Sequence, residues 1–160
     1  MSSERVFVGL GANLGDAQGT VCKALEDLVQ LPRTTVVARS SLYRSSPVQA
    51  QGPDFINAVV ELRTELAPLD LLRRLLALEA AHGRQRPFHH APRTLDLDLL
   101  LVGSQQVLSG ELTLPHPRLH QRAFVLLPLL ELAPDLIHPT LGALQQHLPA
   151  VAQQAIKKLP

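Results

Sequence analysis

Phe55–Thr64 alternates clearly and predicts a strand. Ile56, Ala58, Val60 and Leu62 fall on one side, and Phe55, Asn57, Glu61 and Arg63 on the other. The rest of the chain must supply partners for that strand and a cover for its apolar row. Val6–Leu10 predicts a short buried strand running into the glycines Gly9, Gly11 and Gly15. Asp16 then caps a helix whose apolar stripe is Val21, Ala24, Leu25, Leu28 and Val29, ended by Pro32. Thr34–Tyr43 is rich in β-branched residues and predicts a second strand. Pro68 suits a first helical position, and Leu69, Leu72, Leu75, Leu76 and Glu79 continue that helix to a stop at Gly83. Leu95–Val102 returns to alternation, with Leu97, Leu99 and Leu101 opposite Asp96 and Asp98. An apolar helical stretch, Ala123–Leu132, and a proline-punctuated tail of weak helical pattern follow. The order β-α-β-β-α-β predicts an α+β fold: a ferredoxin-like sandwich, with two helices on one face of an antiparallel sheet and a C-terminal helical extension. Residues 1–160 read as a single domain.

Composition narrows the function. Hydrophobic types make up 46% of the chain, including 33 leucines, while only five residues are aromatic and none is Trp. The core is therefore aliphatic, and disorder is excluded. A formal charge of +1 does not suit a general nucleic-acid binder, which needs a basic surplus against phosphates. The lone Cys22 excludes a disulfide framework and points to a reducing, cytoplasmic setting. Phe124–Leu130, broken by Pro128 and stopped by Glu131, is far short of the roughly 20 residues that cross a bilayer. No membrane or nucleic-acid partner is expected, and a monomer is.

Several motifs carry possible chemistry. GLGANLG follows a strand and precedes a helix, but its glycine spacing is wrong for a dinucleotide fingerprint, so a tight strand-to-helix turn is the better reading. Asp96 and Asp98, two apart on a strand, send both carboxylates to one face, where they can bracket Mg2+ or stand as a solvated polar row. From His82 to Arg122 the chain holds five Arg, no Lys and five His, against only Asp96, Asp98 and Glu111. Arginines around a carboxylate pair point to a metal–polyphosphate site. His116 and His120 in HPRLH lack the Glu or Cys that a zinc site would add. Phe55 and Asn57 share one strand face, where a ring and an amide suit a planar heterocycle, or else pack beneath the C-terminal helices.

Taken together, GLGANLGD (9–16), SLYRSSPV (41–48), PDFINAVVEL (53–62), LEAAHGRQR (78–86), PRTLDLDLLL (92–101) and LPHPRLHQRAFVLLPLLELAP (114–134) resemble the hydroxymethyl-dihydropterin pyrophosphokinases of folate biosynthesis. The resemblance runs in family order across nearly the whole chain. It implies direct transfer of pyrophosphate from ATP to the hydroxymethyl oxygen of the pterin, with release of AMP. On that resemblance Asp96 and Asp98 hold two Mg2+ ions, Arg84 and Arg93 steady the transferring group, and Asp96 is the nearest acceptor for the hydroxyl proton. Glu79, Arg86, Leu99, Thr113, His116 and Arg122 lie along the nucleotide. Ser45, Ser46, Val48 and Asn57 line the pterin slot, and Phe55 and Phe124 sandwich its ring. The chain departs from the family pattern in three places: the loop QRPFHHAPR lacks the usual aromatic, Glu111 replaces a common basic residue, and Phe55 replaces Tyr. A catalytically idle pterin- or nucleotide-binding module of the same fold would have no need of Asp96, Asp98, Arg84 and Arg93 together. A metal-dependent nuclease using the same carboxylates is disfavoured by the charge balance.

Overall fold

The computed structural model describes residues 4–47, 52–83 and 95–160. Strand β1 (Glu4–Ala12) leads into helix α1 (Ala17–Val29), where the Asp16 carboxylate accepts the Gly19 N–H at 3.0 Å as an N-cap. Strands β2 (Thr34–Arg39), β3 (Tyr43–Ser45) and β4 (Phe55–Thr64) precede helix α2 (Pro68–His82), which has Pro68 in its first turn. Strand β5 (Asp96–Val102) is followed by the short pair β6 (Val107–Leu108) and β7 (Thr113–Leu114). A 3-10 turn at Leu119–Gln121 enters helix α3 (Ala123–Leu132). Another short pair, β8 (Ile137–His138) and β9 (Gly142–Ala143), comes next. A 3-10 segment at Leu144–Val151 and strand β10 (Ile156–Lys158) complete the described chain.

The main sheet is antiparallel with order β10-β3-β4-β1-β5, and β2 also pairs with β4. The strand expected over Thr34–Tyr43 is thus two strands laid end to end along one edge of β4. A shift between Val36 and Ala38 inserts one residue, and the break at Ser40–Leu42 inserts another. Ser40 makes the second break tolerable: its N–H donates to the Val59 carbonyl at 2.8 Å, while its hydroxyl oxygen accepts the Val59 N–H at 2.9 Å. A side chain there does the work of a carbonyl.

Two apolar layers flank the sheet. Val6, Val8, Leu10, Ile56, Ala58, Val60 and Leu62 pack under α1 and α2, as the alternation requires. Phe7, Val59 and Leu100 face the other way and meet Leu126, Leu129 and Leu130 of α3. Three side chains depart from expectation. Leu101 does not join Leu97 and Leu99, because the β1–β5 register slips between Phe7 and Val8 and turns it toward α3. Val29 is 56% exposed at the last turn of α1, and Leu76 is 48% exposed on α2, whose buried residues are Leu71 and Leu75. The tail also does more than its weak helical pattern suggests, since β10 pairs with β3 and widens the sheet.

Candidate functional site

The α3 side of the sheet is filled near Phe7 but open toward the Ala12 end of β1. Two glycines keep the floor low there. Gly11 lies between Asn57 and Asp96 in the pairing, and Gly9 between Val59 and Asp98. A Cβ added at Gly11 would come within 3.1 Å of Asn57 Nδ2, and one at Gly9 would touch Leu100 at 3.5 Å. The turn reading of the glycine-rich segment therefore applies to Gly15, at φ 55°, whereas Gly9 and Gly11 belong to the strand.

Over this floor opens a cleft of about 300 Å³. Asp96, Asp98, Arg118 and Arg122 line it. Ser45, Ser46, Phe55, Asn57 and Phe124 line it as well. Phe55 and Phe124 thus come to one cavity from β4 and α3, two elements far apart in the chain. Asn57 is buried, and its Oδ1 accepts the Ser45 hydroxyl at 2.6 Å. The Arg122 guanidinium stands 5.5 Å from the centre of the Phe124 ring, a cation–π approach.

Other expected site residues lie outside this lining. The Glu79 carboxylate accepts the Leu97 N–H at 2.7 Å, on the outer edge of β5 between the two aspartates. Leu99 is buried in the core under α1 and α2, leaving only its backbone to meet a ligand. Thr113 sits in β7, and the His116 N–H donates to the Leu100 carbonyl at 2.8 Å, which ties this segment beside β5. Burial holds the His116 imidazole below its ordinary pKa; Asp98 opposes that shift, and Arg122 and Arg118 reinforce it. Its Nδ1 accepts the Arg118 N–H at 3.2 Å, so the neutral ring carries its proton on Nε2. Val48, Arg84, Arg86 and Arg93 fall outside the described residues.

Two participants carry little signal in the sequence. Arg118 is one of the five arginines counted around the carboxylate pair, but nothing in the sequence singles it out from the others. Gln154 has no pattern to mark it, yet its Oε1 accepts the Ala123 N–H at 2.8 Å and its Nε2 donates to the Gln121 carbonyl at 2.8 Å. It caps the helix end that bears Phe124, where Arg122 offers no side-chain cap.

A carboxylate pair offers hard oxygen donors suited to Mg2+. Among the described residues no group of three or more His, Cys, Asp or Glu assembles as a metal cage. Two protein oxygens with the remainder from phosphate and water is the coordination habit of Mg2+, so the residues present fit that ion.

Fold and cleft together define a class: an α+β domain whose binding cleft joins an acidic, cation-flanked half to a slot walled by aromatic rings. Residues 7–134 match the family model described as 7,8-dihydro-6-hydroxymethylpterin-pyrophosphokinase, and the chain belongs to that family. It is 46% identical over 158 residues to a 2-amino-4-hydroxy-6-hydroxymethyldihydropteridine pyrophosphokinase of Pseudomonas aeruginosa, covering 98% of each chain. The Haemophilus influenzae protein of the same description is 39% identical over 154 residues, with 96% of each covered. Among solved structures, an HPPK-DHPS in complex with substrates superposes with a TM-score of 0.75 over 94% of this chain, at 11% identity. The chain spans 43% of that longer protein, and the likeness shows a shared fold. No helix of the described residues is long and apolar enough to cross a membrane.

Proposed function

We propose that this chain transfers the pyrophosphoryl group of ATP to the hydroxymethyl oxygen of 6-hydroxymethyl-7,8-dihydropterin, releasing AMP, as a step of folate biosynthesis. One observation carries the reading: Asp96 and Asp98 open into the same cleft as Phe55, Asn57 and Phe124, in a chain of the pyrophosphokinase family. The slot accepts a flat heterocycle between Phe55 and Phe124, with Asn57, Ser45 and Ser46 along its edge, and the family resemblance adds Val48 to the pterin-binding set. Glu79, Arg86, Leu99, Thr113, His116 and Arg122 follow the nucleotide. Arg84 and Arg93 neutralise the transferring group, and Asp96 takes the hydroxyl proton. Two Mg2+ ions on Asp96 and Asp98 would supply charge neutralisation to the triphosphate and acidify the hydroxyl. Transfer of this kind asks the protein mainly for alignment and charge compensation, which carboxylates, arginines and a rigid ring slot provide.

The β-α-β-β-α-β order and the position of β1 between β4 and β5 support a ferredoxin-like reading of the fold, with everything after β5 as an extension. A single domain, a monomer and a cytoplasmic location complete the proposal, supported by one sheet shared between both apolar layers and by a lone exposed Cys22.

The test is to mix the protein with Mg2+, ATP and the hydroxymethyl-dihydropterin and to separate the nucleotides. AMP should appear in step with the pterin diphosphate. ADP in its place would mark an ordinary kinase and overturn the reading.

A further inference from the structure

Glu131 lies in the last turn of α3, away from the cleft, yet it gathers an unusual set of partners. Its Oε1 accepts the Tyr43 hydroxyl at 2.6 Å. Its Oε2 accepts both the Ser41 N–H at 3.0 Å and the Ser41 hydroxyl at 3.1 Å. These three bonds join segments 88 and 90 residues apart. Burial disfavours the charged carboxylate, but the bonds from Tyr43 and Ser41, helped by the positive charge of Lys158, outweigh it and hold the group below the usual carboxylate range.

The elements joined are the two walls of the ring slot. Tyr43 stands opposite Asn57 in the β3–β4 pairing, two residues before Ser45, and Phe55 lies opposite Ser45. On the other side, Phe124 occupies the first turn of the helix that carries Glu131 in its last turn, about 10 Å away along the axis at 1.5 Å per residue. Leu126, Leu129 and Leu130 pack α3 against the sheet without directional bonds. Pro128 has no N–H to give the Phe124 carbonyl, so the helix ladder alone guides that turn incompletely. Directional bonds at the far end supply the missing constraint. Asp96, Asp98 and His116 stand across β4 and β1 from this clamp.

We propose that Glu131, acting through Tyr43 and Ser41, is a positioning residue that sets the spacing of Phe124 against Phe55 and thereby tunes affinity for the flat substrate and not for the nucleotide. This rests on the proposed function.

Three variants test it: Glu131→Ala, Glu131→Gln and Tyr43→Phe, each assayed well below its own melting temperature. Glu131→Ala should raise the KM for the hydroxymethyl-dihydropterin about fivefold to tenfold, with the KM for ATP within about twofold of wild type. Glu131→Gln can still bond both partners, because Tyr43 can accept as well as donate, and should return the pterin KM to within about twofold. Tyr43→Phe removes one bond only and should raise it about threefold; it carries the test if Glu131→Ala does not fold. Equal rises in both KM values, no rise at all, or a Gln variant as impaired as the Ala variant would overturn the clamp. Calorimetric titration with 6-hydroxymethylpterin, without ATP, gives a second measure of slot affinity that should follow the same order. A wild-type chain that makes no AMP overturns the proposed function, and the titration alone then decides the clamp. A wild-type chain that also binds no pterin overturns both.

Discussion

At the scale of single residues, Gly11 has the least freedom in the cleft. Its neighbours across the sheet are Asn57 and Asp96, so any side chain there rises between the slot and the carboxylates. Gly11→Ala puts a methyl 3.1 Å from the Asn57 amide, which the Ser45 bond holds in place. Pterin affinity should fall about tenfold in calorimetry, with the melting temperature lowered by about 2–4 °C per kcal/mol of strain the sheet absorbs. Asp98→Asn separates the two halves of the cleft. It should abolish Mg2+-dependent turnover while leaving pterin binding within about threefold, measured by the same titration. Near-normal turnover would remove Asp98 from the metal site. Both carboxylates and the Phe55 ring were legible in the sequence, because strand alternation fixes which face a side chain takes; Phe124, on a helix, was reached only through the family resemblance. Gly9 and Gly11 were not legible: a glycine in a strand and a glycine in a turn look alike until the partner strands are known.

At the scale of elements, α3 shows how a helix can be read correctly while its anchors stay hidden. The apolar run Ala123–Leu132 announces a helix, but its first turn is held by Gln154, 31 residues beyond Ala123. Gln154→Ala should cost about 1 kcal/mol, the usual worth of a helix cap, and lower the melting temperature by about 2–4 °C. A calorimetric scan reads this directly, and an unchanged transition would show that water replaces the amide without loss. The same limit explains the edge of β4. β-Branched residues signalled a strand over Thr34–Tyr43, but the break at Ser40–Leu42 depends on a Ser40 bond to Val59, which no local pattern encodes. Leu101 turned away from Leu97 for a similar reason, a register slip set by the neighbouring strand. Periodicity reports a chain's own conformation; bulges and caps are agreements between distant segments.

For the molecule as a whole, pH is the most informative variable. His120 and His138 sit in the C-terminal third with His147, whose ring meets His120 edge-on at 5.2 Å. Burial keeps both His120 and His138 below the ordinary imidazole pKa; repulsion from His147 adds to this at each, and from His120 at His138. The His120 Nδ1 is buried with no hydrogen-bond partner among the described residues. An unfolded imidazole takes up its proton near pH 6.5, while these folded ones resist until lower pH. The unfolded state therefore binds more protons as pH falls below about 6.5, and stability is lost in that direction. It is fully present above that pH. Below it, the depressed carboxylates Asp27 and Glu131 extend the loss as they too must be protonated. Thermal melts should hold level from pH ~7.5 to ~6.5 and fall from there to pH ~5.5, less steeply in His147→Gln. A flat profile over that range would rule out the histidine cluster as the cause.

The bond from Gln154 to the first turn of α3 also dictates an order of events as the chain leaves the ribosome. Every strand that bears a cleft residue has emerged by Val102, and Phe124 follows soon after. The side chain that caps Phe124's turn, and the strand β10 that closes over β3, come roughly thirty residues later. A nascent chain can thus pair its sheet and present both aspartates while the turn that bears Phe124 is still uncapped. Among the described residues, the Phe124 side of the cleft is the last to be secured.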